Sequence, residues 1–142
     1  MTDARICELC MPQVAPIWAN DQFSVILVDD ANYPGFCRVI WNTHVKEMSD
    51  LAPGERLALM DAVNQVELAQ RAVLAPDKIN LASLGNVVPH LHWHIIPRFN
   101  DDAHFPNPVW ASAMRVTDPA MLAARRALLP ALSAAIVQRL NP

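Results

Sequence analysis

Two neighbouring segments of the chain are short apolar runs bounded by polar residues, a pattern that predicts a β-hairpin. Residues 23–28 and 36–41 are short, apolar and rich in β-branched side chains, as is typical of strands. The sequence between them contains Pro34, which can preset a turn, and Gly35, which can adopt a positive φ. The two segments are therefore predicted to pair as antiparallel strands.

A helical pattern follows from residue 54 to about residue 75. Leu57, Met60 and Val63 recur every three positions and drift slowly around one face. Pro76 ends the segment because proline cannot continue a helix. We expect one long amphipathic helix here.

Apolar and polar residues alternate in residues 78–84 and 90–98, and this pattern predicts two further strands joined by a tight connection. A final helix is predicted over about residues 118–140, with a bend at Pro130. The order of strands, helix, strands and helix favours an α+β fold built on an antiparallel sheet.

Composition supports a single domain over residues 1–142, with a core of about residues 7–110 and a helical extension of about residues 118–140. The chain has 142 residues, of which 53% are apolar and 18% charged, a balance that excludes a disordered chain. Its net charge is -3 and it has no lysine-rich or arginine-rich run, which argues against binding nucleic acid. The three glycines are too scattered for a Walker loop or a dinucleotide-binding fingerprint.

The N-terminal sequence and the apolar runs bear on where the protein resides. No basic region followed by an apolar core opens the chain, so we expect no secretory signal. The longest apolar run, residues 128–137, is interrupted by Pro130 and Ser133 and is too short to span a bilayer. Three cysteines are too few for a secreted disulfide framework. We therefore expect a cytoplasmic protein with no membrane contact.

The most informative segment is the strand predicted over residues 90–98, which carries His90, His92 and His94 at alternate positions. Side chains of a strand alternate between its faces, so the three rings would share one face at spacings of about 7 Å. A neutral imidazole is a nucleophile and can also donate a proton near neutral pH, so such a row suits phosphoryl chemistry. A zinc site and a set of satisfied core histidines are the alternatives.

The pattern His-φ-His-φ-His-φ-φ, in which φ is apolar, resembles the signature of the histidine triad (HIT) superfamily. The φ positions are filled by Leu91, Trp93, Ile95 and Ile96. The resemblance covers about residues 7–110 and is strongest to the small bacterial nucleotide hydrolases and transferases, including diadenosine polyphosphate hydrolases. It implies a HIT-like fold with an antiparallel sheet of about five strands, a long helix and a C-terminal helix. It also implies a homodimer that binds a nucleotide along the histidine strand.

The resemblance also implies a role for each histidine. His92 would attack the α-phosphorus of a dinucleoside polyphosphate or a nucleoside phosphoramidate and form a covalent nucleotidyl-histidine. Water or another acceptor would then release the nucleotide. His94 would bind phosphate oxygens, and His90 would support the site.

Three further residues are expected to bind substrate on the strength of the resemblance. Asn86 matches an amide near the phosphates and the leaving group, and Asn80 matches an asparagine of the phosphate region. Asp30 matches the acidic residue that binds the ribose hydroxyls, with Asp29 as the alternative. Residue chemistry alone leaves alternatives open. Asn86 follows a glycine and could be a turn residue, and Asp29 and Asp30 could simply terminate a strand.

Two positions depart from the family pattern. Phe36 stands where several relatives have histidine, and Val87 stands where they have a serine or threonine hydroxyl that would assist the leaving group. These departures motivate a second hypothesis, a nucleotide-binding or adaptor protein with weak or lost catalysis. Trp110 could cover a nucleotide base or lie in the core.

Cys7 and Cys10 have the spacing of half a tetrahedral metal site. Some bacterial HIT proteins complete such a pair with two histidines and hold a structural zinc ion, and the resemblance places these ligands at His44 and His90. A redox pair and two unbound thiols are the alternatives. No organic cofactor is expected.

Overall fold

The computed structural model describes residues 7–11 and 14–141. The elements in chain order are β1 (Trp18–Ala19), β2 (Phe23–Leu27), β3 (Cys37–Trp41), a short 3-10 helix (Met48–Asp50), α1 (Pro53–Leu74), β4 (Lys78–Ala82), β5 (His92–Arg98), α2 (Pro119–Arg126) and α3 (Leu129–Leu140). The strands form one antiparallel sheet in the order β1-β2-β3-β5-β4. This arrangement confirms the predicted α+β fold.

One face of the sheet carries the histidines. Strands β3 and β5 pair in a register that places Arg38 beside His94 and Ile40 beside His92. Because neighbouring residues of a strand point to opposite faces, these four side chains share a face. The intervening residues point to the other face, against which the helices pack.

The hydrophobic core lies between the sheet and helices α1 and α3. Leu59, Val63 and Val66 of α1 are fully buried, as are Leu132 and Ile136 of α3. The sheet contributes Phe23, Val25, Cys37, Val39, Trp41 and Ile95. Each large aliphatic side chain buried in this way stabilises the fold by about 1.5–3 kcal/mol, so the histidine strand rests on a well-packed layer.

The chain leading into β5 differs from its prediction. β5 begins at His92, and residues 83–91 form a long connection from β4 instead of a tight one. The amide of Leu91 donates to the carbonyl of Val45, beyond the end of β3, and Pro89 has no amide hydrogen for a ladder. The amide of Trp41 still donates to the carbonyl of Leu91, but the return bond is missing, so β5 begins at His92 and His90 precedes it. The two-residue β1 was not predicted, because alternation cannot show in so short a segment.

The C-terminal helical region is divided in two, with the break at Ala127 and Leu128. Pro130 lies in the first turn of α3, where the missing amide hydrogen is tolerated. The sequence predicted a single long helix with a bend at Pro130. In the structure, Pro130 instead lies at the beginning of a second helix.

The same region is one stretch of the described residues that is long and apolar enough to cross a membrane. An 18-residue window within Pro119–Leu140 has a mean hydropathy of 1.5, so the apolar stretch is longer than residues 128–137 alone. Core helices of globular proteins can be equally long and apolar, so length and composition alone do not indicate a membrane span. In this fold Leu132 and Ile136 pack against α1, and Arg125 forms an ion pair with Asp101 at 2.8 Å.

Candidate functional site

Cys7, Cys10, His44 and His90 converge at the start of the histidine strand. Nδ1 of His90 lies 3.5 Å from Sγ of Cys7 and 3.3 Å from Sγ of Cys10. Nδ1 of His44 lies 3.2 Å from Nδ1 of His90 and also 3.2 Å from Sγ of Cys10. All four donor atoms fall within 4.8 Å of one another, so the structure brings together the ligand set that the sequence predicted.

The donor set fits a structural zinc ion. Tetrahedral zinc bonds of roughly 2.0–2.3 Å place ligand atoms roughly 3.3–3.8 Å apart, close to the spacings found here. Nε2–H of His90 donates to the carbonyl of Trp41, which leaves the lone pair on Nδ1, facing the cluster. Two thiols and two imidazoles complete a tetrahedral set with no open position, as in structural zinc sites.

His92 is held so that one ring nitrogen keeps its lone pair. Nδ1–H of His92 donates to the backbone carbonyl of His90, and a carbonyl can only accept, so Nε2 is unprotonated. Burial is the main cause that lowers the pKa of His92 below its ordinary value. The ring is therefore neutral near pH 7, which is the form that can act as a nucleophile.

His94 lies next to His92 and is surrounded by aromatic rings. Its ring centroid lies 4.8 Å from that of His92, 5.7 Å from that of Phe36 and 5.1 Å from that of Trp110, each in an edge-on arrangement. Burial, followed by the proximity of His92 and Arg38, lowers the pKa of His94 to about 4. A second neutral imidazole therefore stands in a fixed place beside the first.

A cavity of about 460 Å³ opens over His92 and His94, a volume typical of small-molecule sites. Its remaining lining consists of Glu8, Leu9, Arg38, Leu84, Gly85, Asn86, Val87, Val88 and Trp110. Asn86 thus lies at the histidines, as predicted. Val87 is 91% exposed at the rim, and Trp110 is 52% exposed, so Trp110 covers the cavity and does not belong to the core.

The ring of His90 is not part of this cavity. It is 1% exposed and belongs to the cysteine cluster, where its Nδ1 faces the sulfur atoms of Cys7 and Cys10. The expectation that all three rings face one cleft is therefore wrong for His90. Its contribution at the cavity is its backbone carbonyl, which accepts from His92.

Asp30 also lies outside this cavity. Together with Asp29 it lines a separate cavity of about 360 Å³. Its Oδ1 accepts a hydrogen bond of 3.0 Å from the amide of Asn32, the arrangement of an Asx turn. The described contacts of Asp30 are thus those of a turn residue, and its role at a ribose stays a prediction.

Asn80 is held by a neighbouring side chain. Its Oδ1 accepts a 2.7 Å hydrogen bond from Nη1 of Arg98, and it does not line the cavity over the histidines. Of the two predicted asparagines, the structure therefore brings only Asn86 to His92 and His94.

Arg38 is a site residue that the sequence reasoning missed. It lies beside His94 in the sheet and lines the cavity. The sequence could have indicated this residue, because Arg38 is the one charge within the apolar strand β3. Its position shares the face of the histidines. Arg38 is half-buried, and this burial lowers its pKa from the ordinary value.

Comparison with known proteins agrees with this geometry. A family model described as the HIT domain matches residues 14–101. Since this match covers more than half of the chain, the protein belongs to the HIT family.

Individual relatives support the same assignment. An uncharacterized HIT-like protein of Saccharolobus solfataricus is 28% identical over 91 residues, which are 61% of this chain and 66% of that protein's length. The crystal structure of a histidine triad protein from Bradyrhizobium japonicum is 29% identical, with a TM-score of 0.70 over 88% of this chain and 89% of that one. A Zn-bound histidine triad family protein from Mycobacterium smegmatis shares the fold at 22% identity, with a TM-score of 0.64 over 96% of each chain.

Proposed function

We propose that this protein is a nucleotide phosphohydrolase or nucleotidyl transferase that acts at the α-phosphate of a dinucleoside polyphosphate or nucleoside phosphoramidate. Membership in the HIT family suggests a nucleotide-binding hydrolase or transferase. The observation that carries the proposal is the hydrogen bond from Nδ1 of His92 to the carbonyl of His90. It fixes the tautomer that leaves Nε2 available for attack.

The proposed reaction has two steps. Nε2 of His92 forms a bond to the α-phosphorus while the bond from that phosphorus to the leaving group breaks. Water or another acceptor then attacks the same phosphorus, and the bond to His92 breaks with release of the nucleotide. The neutral ring of His94 and the amide of Asn86 line the same cavity and would donate hydrogen bonds to the phosphate oxygens.

Asp30 and Asn80 are two further substrate contacts that we propose. Asp30 follows β2 at the turn, and Asn80 lies in β4 on the face that also carries Ile96 of β5. Either side chain reaches a nucleotide only if its present contact, with Asn32 or with Arg98, is exchanged for one with the ligand.

A structural zinc ion is the cofactor that we propose, held by Cys7, Cys10, His44 and His90. The donor atoms support it by their type and spacing, and the Mycobacterium smegmatis relative is described as Zn-bound. When bound, zinc would join the N-terminal turn to the sheet and fix the His90 backbone. We further propose a cytoplasmic homodimer that takes no organic cofactor and contacts neither nucleic acid nor membrane.

Covalent capture of the nucleotide tests the reaction. A substrate with a radiolabelled α-phosphate is mixed with the protein for milliseconds to seconds, quenched in base, and the label that remains with the protein is counted. We expect the wild type to retain label and His92→Asn to retain none while it still binds nucleotide. His104→Asn is the matched control, because His104 lies outside the cavity and its variant should label normally.

The second candidate function is a nucleotide-binding protein without turnover. It is favoured by Val87, which places a fully exposed apolar side chain at the rim of the cavity instead of a hydroxyl. The same experiment separates the two functions, because a binding protein would hold nucleotide at equilibrium yet retain no label after the quench.

A further inference from the structure

Arg38 lies at the centre of the histidine-bearing face. It is paired with His94 on one side and with Ile26 on the other. It lines both the cavity over the histidines and a neighbouring cavity of about 430 Å³ whose floor includes Ile26 and Ile40. The half-buried guanidinium therefore lies between two cavities on the face that carries His92 and His94.

The contact between Arg38 and His94 determines which ring nitrogen is protonated. Nε of Arg38 lies 3.4 Å from Nδ1 of His94 with donor geometry. A guanidinium only donates, so Nδ1 of His94 must accept and the neutral ring must carry its hydrogen on Nε2. His92 has the opposite tautomer, because its Nδ1 faces a carbonyl that only accepts.

The position of the guanidinium is itself supported. Its central carbon lies 6.0 Å from the ring centroid of Phe36, within the range of a cation–π contact, and the same ring meets His94 edge-on at 5.7 Å. Phe36 therefore packs on both members of the pair. It limits the rotation of Arg38 away from His94.

We propose that Arg38 is a positioning residue that keeps His94 in the Nε2-protonated tautomer, so that His94 donates a hydrogen bond to a phosphate oxygen while His92 attacks. The inference rests on the proposed function and deepens it. The backbone carbonyl of His90 determines the tautomer of the nucleophile His92, and the side chain of Arg38 on the adjacent strand determines the tautomer of the donor His94. The two neighbouring imidazoles thereby take different roles although their sequence surroundings are nearly the same.

The tautomer can be measured without any activity. Full-length protein labelled with ¹⁵N-histidine is recorded near pH 7.5 by long-range proton–nitrogen correlation, and the His94 signals are assigned by their loss in His94→Asn. We expect wild-type His94 to show a protonated Nε2 and an unprotonated Nδ1. Arg38→Leu should shift His94 to a mixture of tautomers and leave His92 unchanged. Protonated Nδ1 in the wild type, or an unchanged His94 in Arg38→Leu, would overturn the proposal.

Two isosteric variants separate the hydrogen bond from the charge. In Arg38→Gln an amide nitrogen replaces Nε at the same distance along the side chain, so a donor is kept without the charge. In Arg38→Lys a methylene replaces Nε, so the charge is kept while the donor at the Nε position is lost. We expect the Gln variant to preserve the His94 tautomer and the Lys variant to lose it. The reverse result would assign the effect to charge and contradict a positioning role.

Kinetics complete the test. Loss of an oriented donor to a developing oxyanion lowers kcat by about 10²–10³-fold, so Arg38→Leu and Arg38→Lys should lose kcat with much smaller changes in KM. Arg38→Gln should recover most of the loss, and Arg139→Leu, at an exposed position of α3, should match the wild type. If the wild type proves inactive, the proposed function fails while the tautomer measurement still decides the role of Arg38.

Discussion

The backbone carbonyl of His90 accepts a hydrogen bond from Nδ1 of His92, while the ring of His90 belongs to the cysteine and histidine cluster. One residue thus contacts the proposed metal with its side chain and the proposed nucleophile with its main chain. A change at the cluster that moves the His90 backbone would therefore also alter the tautomer and position of His92.

Loss of the metal site should weaken both the fold and the reaction. Cys10→Ser removes one of four ligands, so we expect less than one zinc ion per chain, a melting temperature lower by several degrees, and slower labelling of His92, because metal binding is coupled to folding. Metal content by atomic absorption, thermal denaturation and the labelling assay measure these effects.

Cys37→Ala is the matched control for the metal site. Cys37 is a free cysteine buried in β3, so its replacement should leave zinc content unchanged. Equal zinc content in Cys10→Ser and the wild type would contradict the assignment of the cluster as a metal site.

The two glycines Gly35 and Gly54 should respond oppositely to alanine. Gly35 has φ +95, and an added Cβ would lie 2.4 Å from Cδ1 of Leu74, whereas a Cβ at Gly54 meets nothing within 4 Å. Gly35→Ala should therefore lower the free energy of unfolding by about 1–3 kcal/mol or more through strain and overpacking. Gly54→Ala, in the first turn of α1, should raise it by roughly 0.4–1 kcal/mol. Urea denaturation measures both values, and equal effects would contradict the argument.

The buried ion pair between Arg98 and Asp102 should confer acid sensitivity at low pH. Burial raises the pKa of Asp102, but hydrogen bonds from Arg98 and from backbone amides, including that of Phe99, outweigh burial and lower the pKa from 3.8 to about 2. The carboxylate therefore contributes fully above about pH 4, and its contribution, about 2 kcal/mol, is lost as pH falls towards 2.

Asp102→Asn tests this pair. The variant leaves the guanidinium of Arg98, which is 2% exposed, without its counter-charge, so we expect a loss of about 3–5 kcal/mol at neutral pH. The stability of the variant should also vary less than that of the wild type between pH 4 and pH 2. Denaturation curves at several pH values measure the stability of both proteins. If the two stabilities fell in parallel between pH 4 and pH 2, Asp102 would not be the group that causes the acid sensitivity.

His94 should make the fold less stable in mildly acidic solution. Its pKa is lowered from 6.5 to about 4 in the folded chain, so between these values the unfolded chain binds a proton that the folded chain does not. Stability is therefore highest above pH 6.5 and falls by up to about 3 kcal/mol as pH drops to 4. We expect His94→Asn to flatten the pH dependence in this window, and an unchanged slope would show that the ring titrates normally.

Much of the architecture follows from local pattern. The two short apolar runs on either side of Pro34 and Gly35 predict the hairpin, and the observed φ of Gly35 agrees with the predicted turn. The helix ending before Pro76 and the antiparallel arrangement also follow from spacing, since periodicity depends only on which side of an element must be buried. The strand start at residue 90 was wrong because a hydrogen bond from Leu91 to distant Val45 ended the ladder early.

The sequence by itself determined the histidine pattern and the cysteine pair, because residue type and spacing along one strand or turn are local properties. Only the tertiary structure decided that the ring of His90 lies with the cysteines, and that Arg38 meets His94. Both relationships join residues far apart in the chain, and their geometry depends on strand register and on where pairing stops. Those are set by packing of the whole sheet against α1 and α3, which no local pattern contains.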